Sequence, residues 1–244
     1  MGLTLHWTLY APPAADVVTR LEALRSGCLD LPFVSVTDLV HLEAAEIIRR
    51  QDQDELRWFL IQAERSIPIE PESERYMRIS PEEVIGFTAQ PGESEPANFF
   101  LARYPARVTV ASQERPTGLT GWLGSASCKT QYASAVSSAE FLKCHLGVVA
   151  ALDHAARLGL LKSVLDEGEF WERRNPEALL QTVGRWNAMM AAFVGGLELE
   201  TGKTLPAPIR THPAFERLEH EGTTADTAAL VKAVAKAIKR VGEG

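Results

Sequence analysis

Leu3, Leu5, Trp7 and Leu9 fall on one face of a strictly alternating segment, and Thr4, His6 and Thr8 fall on the other. That is the pattern of a strand with one buried and one open face, and it commits residues 3 to 10 to a sheet. Pro12 and Pro13 then open a helix whose Val17, Leu21, Leu24 and Cys28 share a face, with Gly27 near its end. Val34, Val36 and Val40 predict a second strand. The result is a strand-helix-strand unit, with a right-handed crossover if the strands are parallel.

From Glu43 to Arg65 the apolar spacing predicts two helical pieces, Ala44, Ile47 and Ile48 and then Leu56, Phe59, Leu60 and Ala63. Ser66 to Glu74, rich in Pro and Glu, reads as an exposed loop. Val84 to Ala89, Phe99 to Tyr104 and Val108 to Ala111 predict an antiparallel meander, with turn chemistry at Pro91 to Pro96. Gly121 to Tyr132 predicts a further strand, followed by a helix from about Ser138 to Leu158 and a strand from Ser163 to Asp166. A last long helix is capped by Asn175 and begun by Pro176, with Leu179, Val183, Trp186, Met190, Phe193 and Leu197 as its apolar stripe.

The fold class is therefore α+β, a mixed sheet carrying an antiparallel meander and strand-helix-strand units, with helices mainly on one face. Residues 1–204 read as one domain, divisible into sub-lobes at 1–65 and 78–204. Residues 205–224 hold three prolines and few apolar side chains, which predicts a linker or surface arm. An amphipathic helix follows over 225–242, with Val231, Val234, Ile238 and Val241 on one side and Lys232, Lys236, Lys239 and Arg240 on the other. A lone helix of that length is marginal in water, so it must dock on its own chain or on a partner.

The 244 residues, 45% of them hydrophobic, suffice to bury a core without staples. Cys28, Cys128 and Cys144 are odd in number and lack a CxxC spacing, which favours reduced thiols and a cytoplasmic setting over a disulfide framework. Met1 to Tyr10 alternate instead of forming a basic segment followed by an apolar run, and no window reaches the roughly 18 apolar residues of a membrane span, so secretion and membrane insertion are not expected. A formal charge of −7 disfavours nucleic acid, whose affinity comes mainly from Lys and Arg on phosphates.

Chemistry-bearing residues concentrate between Gly118 and Arg174. Helical spacing sets His145 on the apolar face with Phe141, Val148, Leu152 and Ala155, so a helix packing back on its strand aims it at Cys128. A Cys and His pair suits a thiol nucleophile; the alternative is a core histidine beside a small buried thiol. A second grouping follows if strands 121–132 and 163–166 are parallel. Their ends then gather Lys129, Gln131 and Tyr132 near Asp166, Glu167 and Glu169, fit for a small polar ligand or for acid and base work. Against it, Asp166 and Glu167 suffice to end a strand, Glu169 has Arg173 four residues on, and Phe170 with Trp171 anchors the turn.

The acidic loop Gly92 to Asn98, with Glu93, Glu95 and Asn98, reads as a solvated hairpin loop, since spacing alone does not make a calcium site. His41, His212 and His220 lack a ligand-spaced companion, no metal site is expected, and no nucleotide-binding or hydrolase motif is present. Cofactor and reaction stay unspecified. The expected function is binding or acting on a small polar ligand at the strand ends. The alternatives are an assembly module using the C-terminal helix or a sheet edge, including a homo-oligomer, and a Cys-dependent enzyme.

Overall fold

A computed structural model describes residues 3–50, 54–69, 75–110 and 112–242, with the backbone alone at 54, 55, 208, 237 and 239–242. Strand β1 (Leu5–Ala11) buries Leu5, Trp7, Leu9 and Ala11 and leaves His6, Thr8 and Tyr10 more open, as the alternation requires. Helix α1 (Val17–Leu29) starts where the Asp16 carboxylate accepts the Thr19 N–H at 3.0 Å, and it buries the expected Val17, Leu21, Leu24 and Cys28. The Val34 to Val40 stretch divides into β2 (Ser35–Val36) and β3 (Val40–Glu43), and two helices follow, α2 (Ala44–Arg50) and α3 (Asp54–Ala63).

Part of the expected loop at Ser66 is strand instead. β4 (Arg65–Pro68) pairs with β5 (Tyr76–Ile79), while residues 70–74 lie outside the described residues. β6 (Glu83–Gln90) and β7 (Ala97–Arg103) form the hairpin the turn residues predict, with Phe87 opposite Phe99. The third meander strand leaves the sheet: among the described residues β8 (Arg107–Val110) pairs with β9 (Gln113–Pro116) as a separate ribbon, and Ala111 lies outside them.

β10 (Trp122–Cys128) is shorter than the Gly121 to Tyr132 strand the sequence predicts, and a 3-10 turn, Thr130–Ala135, follows it. Its ladder with β1 closes at Leu5 opposite Cys128. Two residues further along, Leu3 bonds Gln131 twice: its N–H goes to the Gln131 side-chain oxygen at 2.9 Å and its carbonyl takes the Gln131 backbone N–H at 3.4 Å. Then come α4 (Ser138–Arg157), β11 (Leu161–Asp166) and the short α5 (Phe170–Arg173). α6 (Pro176–Thr201) is capped by Asn175, whose side-chain oxygen accepts the N–H groups of Glu177 and Ala178 at 3.0 and 3.1 Å. A 3-10 turn at Pro208–Thr211, α7 (Phe215–Gly222) and α8 (Ala225–Gly242) complete the chain.

The seven-stranded sheet runs β11-β1-β10-β7-β6-β2, with β3 also on β6, and is mostly antiparallel; with its helices it is an α+β fold. Tyr10 N–H donates to the Leu160 carbonyl at 2.8 Å and Glu167 N–H to the Thr4 carbonyl at 3.2 Å, so β11 is antiparallel to β1. β10 and β11 therefore point the same way with β1 between them. On one face Trp7 stacks on Phe99 and Phe99 on Phe87, with ring centroids 5.3 and 5.4 Å apart. Such pairs add about 0.5–1.5 kcal/mol each beyond their burial. Phe100, pointing the other way, meets Phe59 of α3.

The described residues form two compact units, 5–128 with 143–165, and 3–4 with 129–142 and 166–242. In the second unit residues 205–224 are no free linker: Phe215 and Leu218 of α7 are buried in one cluster with Ala188, Ala191 and Val194 of α6. Glycines allow the close approach. A Cβ at Gly222 would strike the Ala188 carbonyl, and one at Gly196 would come within 2.9 Å of Val231 on α8. α8 docks through Val231 and Ala235 onto Leu197 of its own chain; the side chains of Lys239, Arg240 and Val241 lie outside the described residues. Among the described residues no helix is long and apolar enough to cross a membrane.

Candidate functional site: a polar-floored cavity beyond strand β10

Once the backbone leaves the ladder at Cys128, the 3-10 turn carries Gln131 and Ser134 inward, 8% and 7% exposed, and leaves Tyr132 half open. These side chains meet α6 at Asn187, itself 5% exposed. Gln131 Oε1 accepts from Leu3 N–H, Gln131 Nε2 donates to Asn187 Oδ1 at 3.0 Å, and Asn187 Nδ2 donates to Ser134 Oγ at 2.8 Å. The direction of this chain is fixed at its first link, because a backbone N–H can only donate. Gln131 must therefore face Leu3 with its oxygen, which leaves its nitrogen for Asn187, and so on to Ser134.

The chain floors a cavity of about 130 Å³. Lys129, Gln131, Tyr132, Ser134 and Asn187 supply its polar wall, while Ala135, Met190, Ala207 and Ile209 supply the apolar one. The Lys129 ammonium stands over the Tyr132 ring, 5.0 Å from its centroid. Behind Ser134, His212 bonds the Ser134 backbone carbonyl and accepts the Ala214 N–H on Nδ1 at 3.1 Å. Burial first and the Arg217 charge second lower its pKa, against the raising effect of that carbonyl.

Asp166 and Glu167 reach the same edge but not this cavity. The Leu3–Thr4 segment is interposed: its Leu3 backbone bonds Gln131 and its Thr4 backbone bonds Glu167, whose Oε2 accepts the Thr4 N–H at 2.9 Å. Asp166, 4% exposed, accepts Gly168 N–H at 2.8 Å and Trp171 N–H at 2.9 Å, holding the turn into α5. Glu169 pairs with Arg173 at 2.8 Å on the surface.

Cys128 and His145 are each fully buried. The Cys128 thiol donates to the Glu95 carbonyl at 3.0 Å, and burial pushes it above its ordinary range, with Glu95 and Cys144 adding to the shift and Ser94 opposing it. His145 is not among the groups acting on it. Asn98, at the end of the sequence-predicted acidic loop, lies on β7 and is buried in a network with Thr88 and Gln62. His41 is held 2.7 Å from Glu83.

The other unit carries an open groove of about 410 Å³ over the sheet beside α3, where His6, Thr8, Ser125, Ser127 and Gln62 present polar groups. Thr8 and Ser125 hydroxyls already bond each other at 3.1 Å. Among the described residues, no three or more His, Cys, Asp or Glu side chains converge to hold a metal ion. The residue that sequence reasoning missed is Asn187. Its signal is an amide at the i+4 position from Val183 and i−4 from Ala191, on the buried stripe of α6. Compared with family models, curated proteins and solved structures, the chain matches none of them.

Proposed function

We propose that the protein binds a small polar ligand in the cavity beyond β10, with Lys129, Gln131 and Tyr132 in its wall. One observation carries the reading: a buried amide, amide and hydroxyl chain opens onto a small cavity whose remaining wall, Lys129 and Tyr132 aside, is apolar. Burying three polar side chains is costly unless each is bonded, and apolar residues would fill the space at lower cost. An apolar cleft with a few convergent polar groups is the common form of a ligand site. Asp166 and Glu167 act at one remove, by fixing the strand end beside the Leu3–Thr4 segment that orients Gln131.

A thiol enzyme draws no support from a Cys128 that burial keeps protonated. Assembly through α8 has Leu230 and Ile238 at its disposal, 49% and 42% exposed, after Val231 and Ala235 are spent on α6. Three buried cysteines that form no disulfide suit a reducing, cytoplasmic setting. The test is native mass spectrometry of freshly purified protein beside Met190→Trp, which fills the cavity from its half-buried wall. Added mass on each wild-type chain, absent from the variant, is expected. Identical bare masses count against the reading.

A further inference from the structure

From the hydrogen-bond polarity of this cavity we infer that its ligand is a small carboxylate with a short apolar body. The inference rests on the ligand-binding reading above and names the ligand class. Each link from Leu3 to Ser134 points the same way, so the chain ends on a Ser134 oxygen that has already accepted a hydrogen bond from Asn187. Its own proton has no acceptor among the described residues, and the Gln131 and Asn187 amides each keep a second N–H beyond the links given.

The charges lean the same way. Lys129 brings a positive charge to the rim, and no acidic side chain is among the residues that line the cavity. An ammonium ligand would meet that charge and a hydroxyl whose orientation presents hydrogen. A carboxylate accepts from several donors at once, and hydrogen bonds to a charged acceptor are roughly twice as strong as neutral ones. Met190 and Ile209 line the remaining wall and suit a branched or straight chain of a few carbons, which is all that about 130 Å³ admits.

Isobutyrate, isobutyramide and isobutylamine share one carbon body and differ in the head group, so they separate the classes. Each is titrated into the isotope-labelled full-length chain while the backbone resonances of residues 129–135 and 187–190 are followed. Isobutyrate is expected to shift those resonances in a saturable way, with the amide and the amine at least tenfold weaker. Ser134→Ala should weaken isobutyrate about tenfold or more, the loss of one charge-assisted hydrogen bond. If that variant misfolds, Lys129→Met, at a partly exposed position, serves with the same expectation. Tighter binding of the amide or the amine at the same resonances overturns the carboxylate while leaving the pocket standing. Silence from all three at those resonances overturns the inference and the pocket together.

Discussion

Asn187→Ala breaks the buried chain at its centre. It removes a 3.0 Å bond from Gln131 and a 2.8 Å bond to Ser134. Gln131 cannot turn to recover, because Leu3 N–H holds its oxygen, so one amide N–H is stranded in a site 8% exposed. Stranding a buried donor costs about 1–3 kcal/mol, and losing the neutral bond to Ser134, whose hydroxyl can rotate, costs about 1 more. The expected destabilisation is about 2–4 kcal/mol, or about 4–16 °C in thermal midpoint for a chain of this size. Urea unfolding read by tryptophan fluorescence reports it, with Trp171 and Trp186 lying in the same unit. A double-mutant cycle with Ser134→Ala should return a coupling of about 0.5–1.5 kcal/mol. A single-variant loss under about 0.5 kcal/mol would show that the chain is not a structural unit and would remove the polarity argument built on it.

Native protein should resist iodoacetamide at all three cysteines, since burial raises Cys128 and pushes Cys28 up to about 12, and Cys144 donates to the Pro91 carbonyl; rapid labelling of any one in the folded state contradicts this. His212 has its pKa lowered by folding, so the unfolded chain binds more protons in the range below the ordinary value of 6.5. Its contribution to stability is full above that value and declines as pH falls through the lowered one. The drop in thermal midpoint from about pH 7.5 to about pH 5.5 should therefore be larger in wild type than in His212→Gln, and equal drops refute it. Gly222→Ala sets a methyl against the Ala188 carbonyl and should cost about 1–3 kcal/mol, seen as weaker amide protection across α7; unchanged protection tells against the close packing of α6 and α7.

What was legible in the sequence is what local periodicity controls. The alternation of Leu5, Trp7 and Leu9 and the stripe of Val17, Leu21, Leu24 and Cys28 need only their own element to be read, and both appear as expected. β10 misleads because beyond Cys128 the Gln131 side chain replaces one backbone partner of Leu3, 128 positions away. In α6 the bulk of Trp186, Met190 and Phe193 suggests the buried stripe, yet the face buried by α7 and α8 holds Ala188, Ala191, Ala192 and Gly195, since close approach selects small residues. Residues 205–224 read as a linker or surface arm because two apolar anchors, Phe215 and Leu218, are too few to form a pattern, though enough to seat α7. Lys129, Gln131 and Tyr132 were visible as residues; that they face Asn187 was not, because the turn and α6 meet only in the folded chain.

The directed chain from Leu3 to Ser134 gives the cavity an electrical identity separate from its outline. Asn187→Asp would preserve the shape almost atom for atom, yet a carboxylate can only accept. It would still take the Gln131 hydrogen and would now also claim the Ser134 proton, reversing the last link and withdrawing the hydrogen offered at the cavity floor. Two proteins with the same contour here can thus prefer opposite ligands, and a substitution that looks conservative by volume can be the one that inverts what the site accepts.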